Sequence, residues 1–358
     1  MSENRPLSIL AFGAGAIGAY LGGTLSMAGN RVVFIEQPAV AAGLRSRGLR
    51  LDLTIDKRRK LSEVTLIPPA AFTCVDSLAE ALKHGPFDVA VFAMKSFDTA
   101  AALEGLRPFA AQMPPILCVQ NGVDNEPAIA AMLGPDKVIA ASITCSIGRR
   151  DAGDILLEKA RGVGVAAGHP LSARLVEAMN VALLNARLYP SADDMKWSKL
   201  LMNLPGGPLS AIVDLSIADV FAVPGLFDLE KRASLEALAV MSALGIKPVN
   251  LPGTPVRLLA AAWRLPGFLV RGLLKKAIGG GRGDKMPSYH IDLHAGRKQS
   301  EVGWLQGAVV RHGEQAGVPT PVNRLLTRTL LAMVAGEIPV AEFSGQPEKL
   351  IALARREA

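Results

Sequence analysis

The glycines of Gly13-Ala14-Gly15-Ala16-Ile17-Gly18 have the spacing that holds a diphosphate. They follow a strand-like apolar run at residues 7–12 and open an Ala- and Leu-rich helical stretch at 16–27. In that setting Gly13 permits the tight turn out of the strand and Gly15 lets the backbone approach a pyrophosphate. Gly18 lets the helix pack close to the sheet, and the helix N-terminus faces the phosphates. Glycine-rich turns are common, so the pattern alone says little. Here a second strand ends at Glu36, eighteen residues past Gly18, which completes the context of a dinucleotide site. Gly13, Gly15, Ala16, Ile17 and Gly18 are the expected cofactor contacts.

Glu36 bears on which dinucleotide. A carboxylate there accepts hydrogen bonds from the adenosine ribose hydroxyls and repels a 2′-phosphate, which favours NADH. Arg45, Arg47 and Arg50 follow closely. Either one of them binds a 2′-phosphate, or they coat a solvated helix; the sequence leaves both readings open.

These residues need a scaffold, and the chain is long enough to build one. Its 358 residues suggest two or three domains at roughly 100–200 residues each. Half the residues are hydrophobic and 20% are charged, which excludes an intrinsically disordered chain. From about residue 7 to 168, β-rich apolar runs (7–12, 32–35, 89–93, 116–119 and 138–143) alternate with helical stretches (16–27, 77–83, 99–106 and 126–133). That alternation predicts an α/β domain with a Rossmann-type, doubly wound parallel sheet. Runs near 154–158 and 163–167 read as further strands, antiparallel at the sheet edge. Helical periodicity then takes over at 193–202, 226–244, 289–293, 302–316 and 323–334, so the C-terminal domain is mainly α-helical. The expected domains are residues 1–189, binding dinucleotide, and 190–358, binding substrate. Residues 251–285, with Gly279-Gly280-Gly281 near the end, form an unusual insert of apolar residues punctuated by Arg and Lys. They are expected to make a helical hairpin packed on the domain or on a partner subunit rather than a membrane-surface element.

The net charge of +7 fits attraction to anionic cofactors or substrates. Nucleic acid is not expected, because the basic residues form no aromatic-interleaved stripe and there are only three Trp and three Tyr. No stretch reaches the roughly 18 apolar residues of a membrane span. The polar N-terminus lacks the apolar run of a signal peptide, and the three scattered cysteines fit a reducing compartment, so a cytoplasmic location is expected. His290 and His294 stand four apart without a nearby Cys or acidic cluster in sequence, so no metal site is expected.

Four blocks in order give the chain a resemblance to a known family: the Gly13–Gly18 turn, Ala93-Met94-Lys95, Val119-Gln120-Asn121-Gly122, and Lys196-Trp197-Ser198-Lys199-Leu200-Leu201-Met202-Asn203. A fifth region, Lys285-Met286-Pro287-Ser288-Tyr289-His290-Ile291-Asp292, leads to Gly296-Arg297 and Ser300-Glu301. In these blocks, from Ile9 to about Asn323, the sequence resembles the ketopantoate reductases (2-dehydropantoate 2-reductases). The resemblance implies an oxidoreductase that transfers hydride from a nicotinamide, NADPH by family habit, to a small 2-keto acid. The family's substrate is 2-dehydropantoate, reduced to pantoate in pantothenate biosynthesis. Lys199 matches the catalytic lysine, able to donate a proton to the nascent alkoxide and to stabilise its charge. Asn203 lies one helical turn further on the same face and could hydrogen-bond substrate. Glu301 matches the acidic residue near that lysine, and Ser288 the serine on the substrate carboxylate side. Asn121 matches a residue at the nicotinamide end, or simply belongs to a turn with Gly122. Lys95 matches a lysine used at the adenosine phosphate. A homodimer is compatible with all of this.

The chain departs from the family in several places. Gln37 stands where members often carry an arginine for the 2′-phosphate. Gly207 and Ile217 replace two asparagines, and the interval from Asp292 to Glu301 is one residue longer. Loss of polar groups at Gly207 and Ile217 opens the alternative of a bulkier or more apolar 2-keto acid. A non-catalytic dinucleotide-binding protein is the rival from another class, opposed by retention of Lys199 and Glu301.

Overall fold

In the computed structural model, which describes residues 5–279 and 286–357, the chain forms two compact units. The first contains the described residues through Gln120, then Asp124–Lys196 and Leu251–Thr254. The second contains Asn121–Val123, Trp197–Asn250 and the described residues from Pro255 onward. The chain thus passes from one unit to the other inside the helix Ala192–Asn203, a few residues after Pro190.

The first unit carries the strands β1 (Ser8–Phe12), β2 (Arg31–Ile35), β3 (Leu49–Asp52), β4 (Thr65–Ile67), β5 (Thr73–Val75), β6 (Val89–Phe92), β7 (Ile116–Cys118), β8 (Val138–Ile143), β9 (Ser146–Asp151), β10 (Asp154–Lys159), β11 (Val163–Ala166) and β12 (Ala186–Tyr189). Eight of them form one sheet in the order β12-β11-β8-β7-β6-β1-β2-β5. From β5 across to β8 every pairing is parallel. Strand side chains alternate between faces. Ile9 and Ala11 therefore join one apolar layer with Val32 and Phe34, while Leu10 joins the other with Val33, Ala90 and Phe92. A parallel strand covered on both faces has to be apolar throughout, and β1 is.

The order of the sheet reverses between β1 and β6. In open α/β sheets ligands bind at such a switch point, beyond the carboxyl ends of the strands. The glycine turn leaves β1 there, Glu36 follows β2, and Lys95 follows β6.

One expectation needs correcting. Residues 163–166 do pair antiparallel with β8, but β12 lies outside them. Residues 154–159 are not in this sheet at all. As β10 they belong to a second, four-stranded sheet ordered β4-β3-β10-β9. Its strand β3 has no continuous apolar run: Leu49 and Leu51 are buried, while Arg50 and Asp52 face outward. A half-buried strand of four residues leaves only a faint periodic signal.

In the second unit the helices Gly207–Val213 and Ile217–Ala222 were not legible in the sequence. Pro205-Gly206-Gly207-Pro208 looks like a loop, yet a proline in the first turn of a helix costs nothing, because its missing N–H would be unpaired anyway. The insert does form helices, at Val256–Arg264 and Gly267–Leu274, followed by a π-helical turn at Lys275–Gly279. Trp263 is fully buried with its ring centroid 6.2 Å from those of Phe221 and Phe227. Phe268, Leu269 and Leu273 are exposed on the second helix. The last part of the insert, residues 280–285, lies outside the described residues. Among the described residues no helix is long and apolar enough to cross a membrane.

Candidate active site

The glycine turn is built for close approach. Gly13 has φ +90°, and a Cβ on Gly18 would lie 2.0 Å from the Gly13 carbonyl oxygen, so both positions demand glycine. Gly15 caps the helix Ala16–Met27 without a side-chain hydrogen bond, and nothing lies within 4 Å of where its Cβ would be. The result is an open cradle of backbone beside the uncapped N–H groups of a helix start, which fits the pyrophosphate of a dinucleotide.

Glu36 closes one side of this cradle. Its Oε1 accepts a hydrogen bond from the Ala14 N–H at 2.5 Å, and its Oε2 accepts one from the Gln37 N–H at 3.2 Å. The carboxylate is therefore fastened to the turn with acceptor capacity left for ribose hydroxyls. The three arginines have other partners. Arg45 donates to the Cys74 carbonyl at 3.2 Å, Arg47 to Asp151 at 2.9 Å and to the Ala152 carbonyl at 2.5 Å, and Arg50 to Asp154 at 3.1 Å. Two of them thus tie the chain to the β9–β10 hairpin.

Lys95 is exposed on the loop after β6, and a buried polar network holds that loop. Gln120 Nε2 donates to the Met94 carbonyl at 3.3 Å and to Thr99 Oγ1 at 2.8 Å. Thr99 Oγ1 donates to Asn125 Oδ1 at 2.9 Å, and Asn125 Nδ2 donates to Ser96 Oγ at 3.2 Å. Satisfied networks of this kind rigidify what they connect. Nothing in the sequence around Gln120 signals this role, because its partners are distant in the chain.

Lys196 is a second residue without an expected role. It is buried, 2.7 Å from Glu126 Oε1, and donates to the Gln120 carbonyl at 2.7 Å and the Ala141 carbonyl at 3.3 Å. Burial opposes its charge, but the Glu126 carboxylate outweighs burial and holds the ammonium above the ordinary lysine range. Of the two lysines in the Lys196–Asn203 block, this one is structural.

In the second unit, Trp197, Leu200 and Leu201 bury one side of the helix Ala192–Asn203. The Trp197 ring meets His312 edge-on at 5.2 Å, and Ser198 Oγ accepts from the Val249 N–H at 2.8 Å. Lys199 is 9% exposed. Asn203, one turn on, donates through Nδ2 to Asn121 Oδ1 at 3.1 Å, so the structure brings these two predicted residues together. Gly122 beside Asn121 has φ +89°, which makes the turn itself glycine-dependent. Glu301 is 7% exposed and opens the 3₁₀ turn Glu301–Trp304, capped by Ser300 Oγ accepting from the Val302 N–H at 3.3 Å. Ser288 is exposed at the first position of the helix Ser288–His294.

Packing leaves no room for a side chain at residues 206 and 207. A Cβ on Gly207 would lie 2.8 Å from the ring of Tyr289, and one on Gly206 would lie 2.8 Å from Ile217. Tyr289 donates to Gln306 Oε1 at 3.3 Å, and Gln306 Nε2 donates to the Leu204 carbonyl at 3.2 Å. Burial, then the nearby Glu301 charge, pushes the Tyr289 phenol well up, so it stays neutral. An aromatic ring and a branched aliphatic chain thus pack directly on the backbone of this turn.

The same loop meets a buried acid. Glu230 accepts a hydrogen bond from the Gly206 backbone, and its Oε2 has no hydrogen-bond partner among the described residues. Burial pushes its carboxyl up to about 8, the Gly206 bond only partly opposing this. The folded state therefore keeps a proton that the unfolded chain releases near pH 4.5, so stability falls as pH rises from there to about 8. Thermal unfolding at pH 5, 6.5 and 8 should show this decline, and Glu230→Gln should flatten it. An unchanged slope in the variant would show that Glu230 is ionised in the folded protein.

Comparison with known proteins follows the same two-part division. The family profile of ketopantoate reductase PanE/ApbA matches residues 9–167, and that of the ketopantoate reductase PanE/ApbA C terminal matches residues 191–334. A 2-dehydropantoate 2-reductase of Mesorhizobium japonicum is 28% identical over 346 residues, covering 88% of this chain and 94% of that protein. Among solved structures, a PanE/ApbA family ketopantoate reductase from Ralstonia eutropha superposes with a TM-score of 0.75 at 24% identity, over 92% of this chain and 99% of that one. A D-mandelate dehydrogenase solved with NADH and anilino(oxo)acetate superposes with a TM-score of 0.71 at 19% identity, over the same shares.

Proposed function

The chain belongs to the ketopantoate reductase family, and from that premise we propose that it reduces a 2-keto acid with a largely apolar side chain, using NADH in preference to NADPH. It is a nicotinamide-dependent 2-keto acid reductase of the 2-dehydropantoate 2-reductase type. The choice of substrate rests on Gly207, packed against Tyr289, and on Ile217, packed beside Gly206, which stand where the resemblance to the family leads one to expect two asparagines. The D-mandelate dehydrogenase, described with NADH and an aryl 2-keto acid analogue, supports the same direction. The names of the curated relatives favour a second reading, 2-dehydropantoate itself.

Gly13, Gly15, Ala16, Ile17 and Gly18 would hold the pyrophosphate, Glu36 the adenosine ribose and Asn121 the nicotinamide end. A bound reduced nicotinamide supplies the hydride. Lys199 then gives a proton from Nζ to the substrate oxygen and stabilises the negative charge that develops there. Glu301 keeps the lysine and the new hydroxyl in register, and Asn203 and Ser288 orient the keto acid. Lys95 offers a cation at the adenosine phosphate, which would let NADPH be used at reduced efficiency.

Purified protein assayed against 2-dehydropantoate and phenylglyoxylate, each with NADH and NADPH, tests the reading. Higher kcat/KM for phenylglyoxylate supports it; preference for 2-dehydropantoate returns the chain to the substrate of its relatives. For the cofactor, Glu36→Gln keeps an acceptor for the Ala14 N–H but removes the charge facing a 2′-phosphate. The NADPH/NADH ratio of kcat/KM should rise about tenfold, or about 1.4 kcal/mol. An unchanged ratio would mean that Glu36 does not face the ribose.

A further inference from the structure

Asp214 ends the helix Gly207–Val213 with φ +55° and ψ 46°, a left-handed conformation that glycine adopts more cheaply. An aspartate there invites a question about its carboxylate. His290 and His294, one turn apart on the helix Ser288–His294, both turn Nε2 toward it. The His290 Nε2–H donates to Asp214 Oδ1 at 2.6 Å, and His294 Nε2 lies 3.6 Å from the same oxygen. The two rings are stacked, 4.0 Å apart and 16° from parallel. The three ligand atoms all lie within 4.8 Å of one another, a spread that an ion about 2.0–2.2 Å from each can bridge after small adjustments.

The carboxylate is held in place by its surroundings. Ser344 Oγ donates to the other carboxylate oxygen, Oδ2, at 2.9 Å, which fixes the carboxylate with Oδ1 turned toward the two imidazoles. The Gly345 N–H donates to the Val213 carbonyl at 2.9 Å, which anchors the Ser344 segment on the end of the helix. The side chains of Asp214 and His294 are 36% and 30% exposed, so an ion and its water can enter. Asp214 is 76 residues from His290, so only the fold brings its carboxylate to the two imidazoles.

We propose that Asp214, His290 and His294 form a binding site for Zn²⁺, with three protein ligands and the remaining coordination filled by water. Two imidazole nitrogens with one carboxylate oxygen are a donor set that zinc takes, whereas Mg²⁺ and Ca²⁺ take oxygen ligands. The ion staples the helix Ser288–His294 to the end of the helix Gly207–Val213.

Untagged full-length protein, stripped with EDTA and dialysed, is titrated with ZnCl₂ by isothermal calorimetry and in thermal unfolding. The expected result is one Zn²⁺ per chain and a Tm that rises with zinc. His294→Ala and Asp214→Asn should each weaken binding by about tenfold or more. Asparagine tolerates the left-handed conformation, so Asp214→Asn tests the charge without disturbing the turn. His84→Ala, away from the cluster, should bind as the wild type does. His294→Ala, which removes only the 3.6 Å contact to Asp214, should keep the wild-type Tm in EDTA, which separates loss of metal from loss of fold. Wild-type protein that ignores zinc, or a His294→Ala variant that binds it equally well, would overturn the assignment.

Discussion

Lys199→Ala lowers kcat by about 10²–10⁴ while NADH binding, followed by quenching of its fluorescence, stays at the wild-type level. The expectation rests on where the residue sits. Trp197, Leu200 and Leu201 pack one side of the helix, and Ser198 pins it to Val249, so the side chain of Lys199 is presented with little freedom beside Asn203. In the role proposed for it, Lys199 supplies both the proton and the positive charge that meets the developing oxyanion, and alanine removes both, two effects felt more in the transition state than in the bound substrate. The loss should therefore appear in kcat and kcat/KM together rather than in KM alone. Asn203→Ala provides the contrast: it breaks the hydrogen bond to Asn121 and weakens substrate binding without removing the acid, so its effect falls mainly on KM. A Lys199→Ala enzyme with near-normal turnover would remove the residue from the mechanism and leave the proton source to be found elsewhere.

The largest stability effect belongs to the other lysine of the same block. Lys196→Met should cost about 3–5 kcal/mol, read as a lower urea midpoint, because it leaves Glu126 as an uncompensated buried charge. It also strips the Gln120 and Ala141 carbonyls of their donor. Lys196→Met with Glu126→Leu should recover most of that loss, since removing both members of a buried pair is far milder than removing one. The sign of the pH dependence follows from the raised pKa. The stabilisation is fully present below the ordinary lysine value and is lost only as pH climbs through the higher folded one. The cost of Lys196→Met should therefore be the same at pH 6 and pH 8. A small cost in the single variant would mean that Glu126 takes up a proton and tolerates its isolation.

Much of the scaffold follows from local rules. The helices Ala16–Met27 and Thr99–Leu106 and the strand Val138–Ile143 occupy the residues their periodicity predicts. So does the turn at Gly13–Gly18, because a left-handed φ and a 2.0 Å approach leave only glycine. Each of these is set by neighbours within a few residues, and sequence order records such neighbours directly. The ordered blocks likewise carried the family, since each is contiguous.

What the sequence could not show is everything made by partners far apart in the chain. Nothing in the spacing of Arg47 and Arg50 says that they tie down the β9–β10 hairpin, and nothing about Gly207 says that the ring of Tyr289 takes its space. Lys196 and Lys199 stand three residues apart in one motif, yet only the fold makes the first an ion-paired strut. His290 and His294 were visible as a pair, but Asp214 joins them only because the end of one helix packs against the face of another. Helix and strand periodicity is a property of the chain's own repeat. Contact across tens of residues is decided by how apolar faces bury each other, and that reaches every residue at once.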